Sequence, residues 1–138
     1  MKIKIVNQYL FMKNNGIIGH IAEKEYKVYA ICEEKKLFRK QKKFLIILFN
    51  SLIWIKESKE TIMISDNRME NNWIFTHKHH SGYRIHQTYV SYYQDIRLKT
   101  LYAYKWMLDD KRFFLEVLEE PEIAFEKFKL NLKNNINE

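Results

Sequence analysis

Through most of this chain, apolar and polar residues alternate with a period of two, the pattern of strands that bury one face and wet the other. Lys2-Ile3-Lys4-Ile5 opens a predicted strand that runs to Met12, and Asn14-Asn15-Gly16 marks a turn before Ile17-Ile18. Tyr26, Val28, Ala30 and Cys32 fall on one face of the next strand. Thr61 to Ser65 reads as a strand closed by Asp66-Asn67, Trp73 to His79 as another, and Ser81-Gly82 separates that one from Tyr83 to Tyr93. Ile96 to Leu108 also alternates, with a turn at Asp109-Asp110-Lys111 into a last strand, Arg112 to Leu118. The run Phe44 to Ile55 is continuously apolar apart from Asn50 and Ser51, so it fits either two short strands or one buried helix.

The end of the chain changes character. Glu119-Glu120-Pro121-Glu122 sets acidic residues and a first-turn proline ahead of Lys127, Lys129 and Lys133, which complements a helix dipole. Ile123, Phe125, Phe128 and Leu132 would supply its apolar stripe. The expected architecture is α+β: a mainly antiparallel, strongly curved sheet or partly open barrel, capped by a C-terminal amphipathic helix. The chain reads as one domain, residues 1–138, with a strand-rich body at 1–118 and the helix at 121–133.

Composition narrows the class. With 46% hydrophobic and 15% aromatic residues the chain has the apolar surface that disordered chains lack, and 3 Gly and 1 Pro exclude collagen-like character. Cys32 is the only cysteine, so no disulfide framework forms within the chain and a reducing, cytoplasmic setting is expected. The start, MKIKIVNQYLFMKNNG, has no long apolar core of a secretory signal. A spanning helix needs about 20 apolar residues, so Phe44 to Ile55 is too short and no transmembrane segment is expected. Its flanks, Lys42, Lys43, Lys56 and Lys59, leave peripheral membrane contact open.

The formal net charge is +7, unevenly spread: residues 1–108 hold 19 Lys+Arg and 9 Asp+Glu, whereas residues 109–138 hold 5 and 8. A basic body raises the local concentration of anionic partners such as nucleic acid, phospholipid headgroups or acidic proteins. Its densest stretch is Lys35, Lys36, Arg39, Lys40, Lys42 and Lys43, which is either a solubilising segment beside a hydrophobic strand or a binding patch. An excess of Lys, Ile, Asn, Tyr and Phe is also what AT-rich coding DNA produces, so composition alone names no function.

Four of five histidines, His77, His79, His80 and His86, lie within ten residues. With Ser81-Gly82 as a two-residue hairpin loop, His77, His79, Arg84 and His86 share one face. Three readings follow. Imidazoles at i and i+2 with a cross-strand partner can bind zinc, although Arg84 repels a divalent cation. Alternatively, two histidines serve as acid and base in metal-independent RNA cleavage, with Arg84 or Lys78 stabilising the phosphate. In the third reading the hairpin is a solvated or partner-facing edge whose imidazoles strengthen anion binding below about pH 6.5. Tyr83, Tyr89, Tyr92 and Tyr93, with Trp73, can stack on bases or fill a core. There is no Gly-rich phosphate loop, CxxC, GxSxG or HExxH, so no cofactor or metal is implied, and Cys32 and lone His20 read as structural.

The stretch TIMISDNRMENNW, followed by YRIHQTYVSYYQDIRLKTLYAYKWMLDDKRFFLEVLEEPEIAFEKF, resembles the ending of bacterial pleckstrin-homology-like domains, with successive strands, an acidic turn and a terminal helix. The resemblance covers about residues 60 to 133. It implies a non-catalytic docking module and carries over no functional residues. The function expected is therefore a basic binding module engaging an anionic macromolecule or acidic protein. Lys35, Lys36, Arg39, Lys40, Lys42, Lys43, Lys78, Tyr83, Arg84 and Tyr89 are its candidate contacts. The alternatives are a small ribonuclease built on His77, His79, Arg84 and His86, and a toxin-neutralising, immunity-type protein.

Overall fold

A computed structural model describes residues 1–36, 39–68, 73–77 and 98–135. Two antiparallel sheets and a C-terminal helical layer make up the α+β fold, and neither sheet closes into a barrel. The strands are β1 (Lys2–Ile5), β2 (Glu25–Lys27), β3 (Ala30–Lys36), β4 (Arg39–Leu48), β5 (Ser51–Lys56), β6 (Ile62–Asp66), β7 (Trp73–His77) and β8 (Leu98–Tyr104). The helices are α1 (Gln8–Asn15), α2 (Lys105–Asp109), α3 (Phe113–Glu119) and α4 (Pro121–Asn135). One sheet has the order β2-β1-β6, the other β5-β4-β3-β8-β7.

The five-stranded sheet is the middle layer, with a core on each side. Ile31, Phe44, Ile46 and Ile55 face the smaller sheet and α1, packing with Ile3, Phe11, Tyr26, Val28 and Ile62. Ala30, Cys32, Leu45, Leu101 and Ala103 face the helices, packing with Met107, Phe113, Phe114, Val117, Ala124 and Phe128. Alternation alone sends odd and even positions of β3 into different cores.

Several elements differ from the sequence expectation, each for a local reason. The strand predicted to reach Met12 stops at Ile5. Asn7 then caps α1, its Oδ1 accepting from the Leu10 N–H at 3.1 Å, and Gly16 ends the helix at φ 64°. Tyr26, Val28, Ala30 and Cys32 do not share a face. The chain leaves one sheet for the other at Val28-Tyr29, where the Val28 N–H donates to Met1 O (2.9 Å) and the Tyr29 N–H to Leu45 O (2.8 Å). Phe44 to Ile55 is a hairpin, turning at Phe49 (φ 53°) and Asn50 (φ 57°). That pair of left-handed residues is the type I′ geometry that matches the twist of a two-residue loop.

The strand predicted over 96–108 ends at Tyr104, and α2 follows, with Met107 fully buried and an i,i+4 ion pair between Lys105 and Asp109 at 2.8 Å. Arg112 to Leu118, expected as a strand, contains α3 instead, because a helix puts Phe113, Phe114 and Val117 together on the sheet while Glu116 meets Lys127. The C-terminal helix stands, over Pro121–Asn135. Its buried stripe is Ala124 and Phe128, flanked by Phe125, Lys127 and Asn131, at the i, i+3, i+4, i+7 spacing of a helix face. Ile123 and Leu132, assigned to that stripe from sequence, are exposed. The helical layer closes through aromatics: Trp106 meets Phe113 edge-on at 4.8 Å, and Tyr29 meets Phe128 edge-on at 4.8 Å.

Candidate anion-binding end of the sheet

Strand β4 is ten residues long and only its second half is core: Phe44, Leu45, Ile46 and Leu48 are buried, whereas Arg39 to Lys43 are exposed or half-buried. The reason is its neighbours' length. β5 reaches no further than Lys56, opposite Lys43, and β8 begins at Leu98, opposite Lys35. Lys36 and Arg39 are paired one step further out, so the β3–β4 hairpin overhangs β5 by four residues, about 13 Å of strand, and β8 by one.

All six cations singled out from sequence lie on this overhang, Lys35 and Lys36 in β3 and Arg39, Lys40, Lys42 and Lys43 in β4. Register sets like charges opposite each other, Lys35 with Lys40, Lys36 with Arg39 and Lys43 with Lys56. Two carboxylates that sequence reasoning passed over offset part of this. Glu33 lies 3.4 Å from Lys40 Nζ and 3.8 Å from Lys42 Nζ, and Glu34 lies 3.9 Å from Lys43 Nζ. Pairs this long and this wet contribute about 0–1 kcal/mol each, but they fix where the positive potential survives. It is weakest at the inner lysines and strongest at the tip. The signal for this was present: with Leu37 and Phe38 alone between Lys36 and Arg39, Glu33 counts directly across to Lys42.

The histidine cluster is placed only at its first member. His77 ends β7 opposite Thr100, which is opposite Glu33, which is opposite Lys42, so His77 occupies the same cross-sheet row as the basic strand. Three strand spacings separate His77 from Lys42, about 14 Å, too far for both to act on one phosphate. Lys78, His79, His80, Tyr83, Arg84, His86, Tyr89, Tyr92 and Tyr93 lie outside the described residues. Among the described residues, no group of three or more His, Cys, Asp or Glu is arranged to hold a metal ion. Cys32 is buried and free, on the helix side of β3.

A second concavity lies on the smaller sheet, lined by Lys2, Glu25, Ile64, Ser65, Asp66 and Arg68. Its polar groups bond to one another. Arg68 forks onto Asp66 at 2.9 and 3.1 Å, Ser65 Oγ donates to Glu25 at 2.8 Å, and the Met1 ammonium donates to Arg68 O at 2.6 Å. The hydrogen bonds from Arg68 hold the Asp66 carboxyl well below the usual carboxylate range. This network is spent on shape, whereas the β3–β4 overhang has more cations than carboxylates.

Comparison with known proteins adds no further constraint: no family model, curated protein or solved structure matches the chain. Among the described residues, no helix is long and apolar enough to cross a membrane.

Proposed function

We infer that this protein is a non-enzymatic docking module that engages an anionic partner through the overhanging end of β3 and β4. The observation that carries the reading is the projection of six cations beyond the core on one hairpin, against two carboxylates that sit further in. Cations held on paired strands are spaced by the backbone, so less side-chain and chain entropy is lost on binding than for a basic tail. A positive end also steers an anion towards the molecule before contact.

The test is retention on immobilised heparin, a generic polyanion. Replacing Lys35, Lys36, Arg39 and Lys40 by Gln should lower the eluting salt concentration well below that of a variant with four cations replaced elsewhere, at Lys13, Lys59, Lys111 and Lys133. Equal elution of the two variants would show that net charge, not this hairpin, does the binding. The catalytic alternative has its own assay. RNA incubated with the protein in EDTA should stay intact between pH 5 and pH 8, roughly the range in which imidazole titrates. Cleavage that disappears in His77→Ala and His86→Ala variants would replace the docking reading with the nuclease one.

A further inference from the structure

The docking reading leaves the partner's class open, and the register of the five-stranded sheet discriminates between classes. Nucleic acid binds along a groove or stripe of cations, or takes a two-stranded ribbon into its major groove. Neither shape is available here. β3 is hydrogen-bonded on both sides as far as Lys35, with β4 on one flank and β8 on the other, so only the Lys36–Arg39 pair stands clear as a two-stranded element. A strand laid lengthwise along β4 would also meet Glu33 and Glu34, which already sit 3.4 to 3.9 Å from Lys40, Lys42 and Lys43.

What remains strongly positive is the end itself. Lys35 with Lys40 and Lys36 with Arg39 form two successive like-charged pairs, in β3 and β4. In sequence these four cations enclose Leu37 and Phe38, giving KKLFRK. An apolar pair flanked by cations is the composition that partitions to a membrane–water interface, where the cations meet anionic headgroups and the apolar side chains leave water.

Resting on the docking reading above, we propose that the β3–β4 end of the sheet docks end-on against an anionic phospholipid bilayer. A planar anionic surface needs contact at the tip only, so the inner carboxylates stay out of its way. The sheet would then stand on the membrane by one end, with the helical layer and the smaller sheet on either side of it.

The experiment is co-sedimentation of the full chain with phosphatidylcholine vesicles, with and without phosphatidylserine, at low and high salt, beside a parallel arm using single-stranded RNA. Binding is expected to the phosphatidylserine vesicles only, and to fall with salt. Lys36→Gln with Arg39→Gln should weaken it by roughly fivefold per cation removed. Leu37→Ser with Phe38→Ser should weaken it at every salt concentration, which a purely ionic contact would not. Lys111→Gln, beyond the opposite end of β8, should leave it unchanged. Because Lys36 and Arg39 face each other as like charges, their replacement removes repulsion rather than attraction, and Lys36→Gln alone serves if the double variant unfolds. Vesicle binding that survives these substitutions overturns the proposal. RNA binding through the same hairpin without vesicle binding overturns the bilayer assignment and keeps the docking reading. Failure of both arms removes the docking reading too.

Discussion

Gly19 lies against the ring of Phe49: a Cβ at Gly19 would stand 2.7 Å from Phe49 Cζ and 3.2 Å from Cε1. The contact joins the loop after α1 to the turn between β4 and β5, where Phe49 itself adopts a left-handed backbone that bulky residues rarely take. Gly19→Ala should therefore cost about 1–3 kcal/mol, from the clash and from its own φ of 147°. In a Phe49→Ala background the clash disappears and only the backbone cost remains. Urea unfolding of the four variants in a double-mutant cycle measures this, and a coupling near zero would refute it.

Lys127 ties the helical layer together, donating to the Asp110 carboxylate at 3.0 Å and to the buried carboxylate of Glu116. Lys127→Met should cost about 1–3 kcal/mol because Glu116 keeps its burial and loses its ammonium partner. The hydrogen bond to Glu116 comes first among the causes that hold the Lys127 pKa above its ordinary value. A raised cationic pKa stabilises the fold fully below the unfolded-state value, about 10.4, and that contribution is lost as pH rises through the higher folded-state value. Thermal melts from pH 8 to pH 12 should show an alkaline decline that is shallower in the Met variant, a range of roughly two units either side of the lysine titration.

The outer edge of β5 is shielded by a side chain. Asn15 Oδ1 accepts from the Lys56 N–H at 2.9 Å while its Nδ2 donates to Phe11 O at 2.9 Å, so one amide satisfies an edge strand and a helix end together. Asn15→Ala should speed hydrogen exchange at the Lys56 amide by about tenfold, with little change at Ile55, whose amide faces into the sheet. Equal change at both would point to general loosening instead.

Glu33 is an internal counter-ion of the basic overhang, between Lys40 and Lys42. Glu33→Gln keeps the shape and removes the charge, so affinity for heparin or for phosphatidylserine vesicles should rise about twofold to fivefold at low salt and converge with the parent at high salt. Weaker binding in this variant would mean that Glu33 positions the lysines rather than masking them.

Legibility in the sequence followed the rules that act locally. β6 and the described part of β7 were readable because alternation and flanking Asp and Asn agree, and α4 because dipole, proline and lysines agree. Phe44 to Ile55 was ambiguous because both faces of the central sheet are buried, which erases alternation. Phe113-Phe114 misled because two adjacent aromatics fit a helix face only if a sheet lies beneath it, a tertiary fact. The basic cluster was visible as composition, but its counter-ions Glu33 and Glu34 emerge only once Lys36 is known to pair with Arg39.

The change of sheet at Val28-Tyr29 has a consequence for the order of events in folding. β3, β4 and β5 form a meander whose pairings are local in sequence, whereas β1 must find β6, with Ile5 opposite Ile62. Loop-closure entropy favours the meander as the early structure. The first strand made is then among the last to settle, and until it does the Phe44, Ile46 and Ile55 face of the central sheet stays open to solvent. In a cell, that interval is when a chaperone would find its hold.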